Sequence, residues 1–158
     1  MMNKIRIMEM TEEYAEVITQ WKYDGEYSFY DNRDGDASGY MDGTHFVCIG
    51  SDGEMIGYYS FGDDARVPTV EEGVYCDEYM DIGLGLRPDL CGQGFGKYFF
   101  AAGISFVSER FGTGKFRLSV AVFNERAIKT YKRAGFYIDR EVTNSFFMNK
   151  FIIMKMEI

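Results

Sequence analysis

The stretch Leu90-Cys91-Gly92-Gln93-Gly94-Phe95-Gly96-Lys97 concentrates residues suited to holding a ligand rather than building a core. Three glycines at alternate positions let the backbone approach a bound group closely. They stand directly ahead of an apolar run with helical spacing. Amide N–H groups at a helix start, with the positive end of the helix dipole behind them, suit a phosphate or pyrophosphate. A Walker loop is excluded, because its first glycine would fall on Cys91 and Tyr98 stands where Ser or Thr is required. The dinucleotide fingerprint is excluded as well, since Gly92, Gly94 and Gly96 are evenly spaced and its last glycine should come one residue later. Cys91 lies where a helix start could favour a thiolate, but no paired base is visible beside it.

The other reactive side chains narrow the chemistry. Cys48, Cys76 and Cys91 are odd in number and widely spaced, which fits reduced thiols and gives neither a disulfide framework nor a metal-ligand pair. The single histidine, His45, precedes the apolar run Phe46-Val47-Cys48-Ile49 and reads as a strand-end residue without a second metal ligand nearby. No metal is expected, and catalysis by several histidines is excluded.

Positioning these residues requires a framework, and the hydrophobic pattern supplies one. Ile5-Arg6-Ile7-Met8 predicts a first strand, and Thr11 caps a helix with Glu12 and Glu13 in its first turn. Tyr14, Val17, Ile18 and Trp21 extend that helix to about Tyr23. Residues 24–44 read as irregular chain with one short helix. Phe46 to Ile49 and Met55 to Phe61 predict a hairpin turned by Ser51-Asp52-Gly53. After the acidic connection 62–77, Tyr79 to Leu86 predicts a fourth strand, followed by Arg87-Pro88. The glycine-rich stretch then opens a helix with Phe95, Phe99, Ala102, Phe106 and Val107 on its apolar face, ended by Gly112. Phe116 to Val122 is a fifth strand. Asn124 caps a helix stopped by Gly135. Phe136 to Val142 and Phe146 to Met156 close the chain as an antiparallel pair. The expected fold class is α/β, an α+β mixed sheet of about seven strands with helices on both faces, in one domain spanning residues 1–158.

In this order and spacing the sequence resembles the GNAT superfamily of acetyl-CoA-dependent N-acetyltransferases over nearly its whole length. The match runs through Leu84-Gly85-Leu86-Arg87-Pro88-Asp89-Leu90, then Cys91-x-x-Gly94-x-Gly96, where the family has Arg or Gln at the head of the loop. It continues in Asn124-Glu125-Arg126-Ala127-Ile128-Lys129-Thr130-Tyr131 with Gly135-Phe136, and in the closing Phe151 to Met156. The resemblance implies that the backbone of Leu84, Gly85 and Leu86 holds the pantetheine arm of acetyl-CoA. The Leu86 N–H would polarise the thioester carbonyl, a contact that strengthens as oxyanion character develops. The amides of Cys91, Gly92, Gln93, Gly94, Phe95, Gly96 and Lys97 would cradle the pyrophosphate, with Lys97, Arg126 or Arg133 supplying charge in place of the missing Arg or Gln. Asn124 would orient the pantetheine, and Tyr131 would serve as general acid to the leaving thiolate; without the resemblance Tyr131 reads as a core tyrosine. A related branch carries a Glu five residues before that Asn, and Ser119 stands there instead. Asp81 is therefore the expected base, with Glu78 beside it and Asp31 behind them.

The implied reaction is direct acetyl transfer to a primary amine in a ternary complex. The reading set against it is a non-catalytic acyl-CoA-binding module that regulates. Charge narrows the acceptor. The net charge is −8, yet residues 1–86 hold 19 acidic against 5 basic side chains and residues 87–158 hold 6 against 12. Such a split suggests halves facing partners of opposite charge. Asp24, Glu26, Asp31, Asp34, Asp36 and Asp42, interleaved with Tyr23, Tyr27, Phe29, Tyr30 and Tyr40, point to a cationic small-molecule or peptide amine. The negative total argues against nucleic acid. The absence of a long apolar stretch argues against a membrane span or secretory signal and points to the cytoplasm. A homodimer is left open.

Overall fold

Alternation, caps and glycine punctuation resolve in a computed structural model into β1 (Arg6–Glu9), α1 (Glu12–Thr19), β2 (His45–Ile49), β3 (Met55–Phe61), β4 (Met80–Leu86), α2 (Gly96–Phe111), β5 (Lys115–Ala121), α3 (Glu125–Arg133), β6 (Tyr137–Thr143) and β7 (Lys150–Glu157). The structure describes residues 5–32 and 35–158; the opening Met1 to Lys4 and the acidic Asp34 lie outside them. The strands form a seven-stranded mixed sheet in the order β1-β2-β3-β4-β5-β7-β6, as the α/β reading expected. The chain divides into two compact units, residues 1–60 with 84–103 and residues 61–83 with 104–158.

In the first unit α1 begins as expected, with the Thr11 hydroxyl accepting from the Tyr14 amide at 3.2 Å. It ends at Thr19 rather than near Tyr23. The Thr19 hydroxyl donates to the Glu16 carbonyl at 2.7 Å, and the Gln20 and Trp21 amides reach back only three residues, to Val17 and Ile18. That tightened last turn stops the helix although its apolar spacing continues, because Trp21 is buried from outside the helix together with Met10, Ala15, Ile18, Val47, Ile49 and Met55. Two 3₁₀ helices, Gly25–Tyr30 and Ser38–Met41, follow where one short helix was expected. The β2–β3 hairpin closes at Asp52-Gly53, with the Gly53 amide on the Gly50 carbonyl at 3.0 Å. Behind it Tyr59 stacks on Phe99 with ring centroids 4.6 Å apart, and its hydroxyl donates to the Phe99 carbonyl at 2.8 Å.

In the second unit β5 pairs antiparallel with β7 from Lys115↔Glu157 to Ala121↔Phe151, and β6 pairs with the far side of β7. β7 starts at Lys150, not at Phe146. The Asn144 side chain accepts from the amides of Phe146 and Phe147 at 2.8 and 3.0 Å, folding those aromatics into a turn that leaves Phe146 78% exposed. Hydrophobicity alone read that turn as strand.

The parallel β4–β5 ladder comprises Met80↔Phe116 and Asp81↔Arg117. At its second rung lies a buried ion pair, with Arg117 0% and Asp81 2% exposed. Arg117 Nε and Nη2 donate to the two Asp81 carboxylate oxygens at 2.7 and 2.8 Å, and Arg66 Nε donates to Asp81 Oδ2 at 2.8 Å. The rings of Tyr75 and Tyr79 cover the guanidinium with centroids at 5.0 and 5.8 Å. Burial opposes the guanidinium charge, but the Asp81 carboxylate outweighs it and holds the Arg117 pKa above its usual value. Removing one partner of such a pair strands the other in low dielectric. Arg117→Met should therefore cost about 3–5 kcal/mol, read as a lowered midpoint in urea unfolding, whereas replacing Arg117 and Asp81 together by apolar residues should cost much less.

Candidate active site

The site begins, in the first unit, with the carboxyl end of β4. Gly85 is a glycine for lack of room, since any side chain there would meet the Tyr58 ring. The Leu86 carbonyl accepts from the Tyr23 hydroxyl at 2.9 Å, and the next amide, that of Arg87, donates to the Ile56 carbonyl at 2.8 Å. Burial, followed by the field of Cys91, raises the Tyr23 phenol well above its ordinary value, so it stays a protonated donor. Arg87 fixes the bend after the strand. Its Nε and Nη2 grip the Asp89 carboxylate at 2.6 and 3.1 Å, while Nη1 donates to the Met55 carbonyl at 2.9 Å.

A 3₁₀ turn, Pro88–Leu90, carries the chain into the glycine-rich loop, and the Gln93 side chain staples that loop to the Asp89 carbonyl. Cys91, standing where the resemblance has Arg or Gln, lies with its thiol 3.9 Å from the Leu86 carbonyl and 3.7 Å from that of Arg87. It serves the strand end rather than the loop mouth. Gly94 has φ +83°, a left-handed backbone that L side chains adopt at a cost, and open space surrounds the positions where Gly94 and Gly96 would carry a side chain. The first amides of α2, those of Gly96, Lys97 and Tyr98, lie ahead of the helix ladder, which opens with the Phe99 amide on the Phe95 carbonyl at 3.0 Å. Helix-start N–H groups behind an exposed glycine loop, with Lys97 beside them, fit the diphosphate of a coenzyme.

In the second unit the Asn124 side-chain oxygen accepts from the Ala127 amide at 3.2 Å, so the residue caps α3. Tyr131 lies on the last turn of α3, half-buried, its ring 6.3 Å from that of Phe136. The Phe136 amide returns to the Tyr131 carbonyl at 3.0 Å and closes the helix end.

Among the expected bases, Asp81 is corrected by its surroundings. Both of its oxygens are occupied by guanidinium donors and it has almost no exposed surface, which suits it to holding β4 against β5 rather than taking a proton. Glu78 is exposed, and Asp31 is half-buried with one oxygen on the Tyr23 amide at 2.9 Å. Ser119 lies 3.4 Å from the Tyr75 hydroxyl.

The acidic segment of the first unit is more structural than its composition suggests. Asp36 accepts from the Ser38 amide at 2.9 Å, and Asp42 accepts from the Thr44 amide and hydroxyl at 2.9 and 2.7 Å and lies 2.9 Å from His45 Nδ1. Burial alone would raise the Asp42 pKa, but these bonds outweigh it and pull it down to about 2. The carboxylate therefore builds a turn and keeps its charge. Asp24 and Glu26 are exposed, and Tyr40 meets Tyr58 and His45 edge-on, each at 5.4 Å between centroids. The links from Tyr23 to Leu86 and from Tyr58 to Gly85 were missed from sequence; the glycine inside a strand was the one available signal of close approach.

The profile of the Acetyltransferase (GNAT) family matches residues 6–136, and the chain belongs to that family. An acetyltransferase (GNAT family) from Bacillus anthracis superposes with a TM-score of 0.74 at 10% identity, covering 98% of this chain and 95% of that chain. A spermidine N-acetyltransferase SpeG chimera from Vibrio cholerae and hSSAT gives 0.72 at 16% identity, covering 98% and 96%. The spermidine/spermine N-acetyltransferase SpeG from Vibrio cholerae in complex with manganese ions gives 0.69 at 14% identity, covering 99% and 94%. At these identities the likeness is one of fold. No curated protein sequence matches the chain. Family and fold make it a GNAT-type N-acetyltransferase, a family whose enzymes use acetyl-CoA as co-substrate. Among the described residues no helix is long and apolar enough to cross a membrane.

Binding at the glycine loop is directly testable. Saturating acetyl-CoA should raise the Tm, since a ligand at about 100 times its Kd adds about 2.7 kcal/mol. Gly94→Val, which fills the open space and forces a β-branched residue into the left-handed region, should abolish that rise while the unliganded protein still unfolds cooperatively.

Proposed function

We propose that this chain, as one N-acetyltransferase domain over residues 1–158, transfers an acetyl group from acetyl-CoA to a cationic primary amine by direct attack in a ternary complex. The observation that carries the reading is the exposed glycine loop at the start of α2, with Gly94 at φ +83° and open space around it, beside a strand end held by Tyr23, Tyr58 and Arg87. Bound acetyl-CoA supplies the activated thioester. The Leu86 N–H donates to its carbonyl oxygen as charge grows there, and Leu84 and Gly85 pair with the pantetheine as an added strand would. Residues 92–97 hold the diphosphate through backbone N–H groups. Asn124 keeps its side-chain oxygen on the cap and orients the pantetheine through its amide nitrogen. The Tyr131 hydroxyl donates a proton toward the departing sulfur. With Asp81 committed to Arg117 and Arg66, the amine proton passes to Glu78 or Asp31 through water.

The acidic and aromatic segment 23–42 supports a cationic acceptor, because Asp36 and Asp42 remain anionic while they build turns. The spermidine and spermidine/spermine acetyltransferases among the similar folds agree with a polyamine, with other cationic small molecules and peptide amines as the alternatives. Ser119 in place of an acid on β5 favours the second reading, a non-catalytic acyl-CoA-binding module.

Thiol release with a panel of amines separates the two, since a module binds acetyl-CoA without amine-dependent turnover. For the enzyme, kcat/KM should be higher for cationic than for matched anionic amines, and the preference should shrink as salt rises. Equal rates, or a preference for anionic acceptors, would remove the acceptor role from the acidic segment. Tyr131→Phe should lower kcat by at least ~10-fold in a chemistry-limited assay; an unchanged kcat would assign the proton to solvent.

A further inference from the structure

The residue after α1 that the sequence reading placed among acceptor-side aromatics does something more specific. Tyr23 reaches 63 positions along the chain to put its hydroxyl 2.9 Å from the Leu86 carbonyl. Its own amide is held by Asp31 at 2.9 Å, so the ring leaves a closed segment rather than a loose one. The peptide group between Leu86 and Arg87 is thereby pinned at both ends, its oxygen by Tyr23 and its nitrogen by the Ile56 carbonyl at 2.8 Å. The preceding residue, Gly85, is seated under the Tyr58 ring. With both flanks fixed, residue 86 has little freedom about its two backbone bonds, and the direction of its N–H is set. We infer that Tyr23 is a positioning residue for acetyl transfer, aiming the Leu86 N–H at the thioester carbonyl through the Leu86 carbonyl. The inference rests on the acetyl-CoA reading of the site. It also links the acidic segment to the reacting bond, because the same side chain belongs to both.

Tyr23→Phe keeps the ring and removes only the hydroxyl. A displacement of about 1 Å in a reacting group costs about 100-fold in rate, so a tilt of a few tenths of an ångström should lower kcat about 10-fold. The KM for acetyl-CoA should change less than about threefold, because the diphosphate contacts lie elsewhere. A second readout needs no turnover: the carbonyl ¹³C resonance of bound, carbonyl-labelled acetyl-CoA should move from its wild-type position toward that of free acetyl-CoA. A merely structural role would instead lower the Tm and leave the carbonyl resonance of the folded fraction at its wild-type position; that result, or a kcat equal to wild type, would overturn the inference. If the wild type binds acetyl-CoA but acetylates no amine, the proposed function fails while the resonance comparison still decides the role of Tyr23. A wild-type chain that leaves the carbonyl resonance unperturbed would overturn both.

Discussion

A guanidinium with no exposed surface has to be neutralised where it lies, and Arg117 meets that requirement through the two oxygens of Asp81. The pair forms the second rung of the parallel β4–β5 ladder, so satisfying the charge also sets the register between the two strands. Arg66 brings the start of the long acidic connection to the same carboxylate, and Tyr75 and Tyr79 bring its end over the guanidinium. A segment whose composition suggests solvated chain is thus organised around one buried charge. Glu71 in the same connection accepts from the Thr143 amide and hydroxyl at 2.8 and 3.1 Å, tying it to β6 as well.

Two carboxylates of the first unit follow one logic. Asp36 and Asp42 answer backbone amides in tight turns, and such bonds favour the ionised form. A carboxylate stabilised as an anion is a good fixed charge and a poor proton acceptor at neutral pH. That argues for separating two tasks: drawing in a cationic amine, which needs only charge, and relieving it of a proton, which needs an accessible base.

The parts of the fold governed by local chemistry were legible in the sequence. Thr11 and Asn124 cap where a hydroxyl and an amide side chain can answer helix amides, Asp52-Gly53 turns the hairpin, and Met55–Phe61 appears with the bounds its pattern gave. Errors arose where a side chain overrode the hydrophobic pattern. Thr19 and the short-reach bonds of Gln20 and Trp21 ended α1 while its periodicity continued, and Asn144 turned Phe146 and Phe147 out of β7. In the site, the glycine-rich loop was readable because helix-start amides need no distant partner. The occupation of Asp81 by Arg117 and of the Leu86 carbonyl by Tyr23 was not, since each joins residues far apart in the chain and neither residue type signals its partner.

The seating of Gly85 beneath Tyr58 also bears on how such a chain can change over generations. A mutation giving residue 85 even a methyl group would collide with the ring, so it becomes tolerable only in a background where residue 58 has already lost its bulk. The reverse order is open, since a smaller residue 58 leaves a gap but no clash. Drift at these two positions is therefore directional, with position 58 the gate through which any replacement of Gly85 must pass.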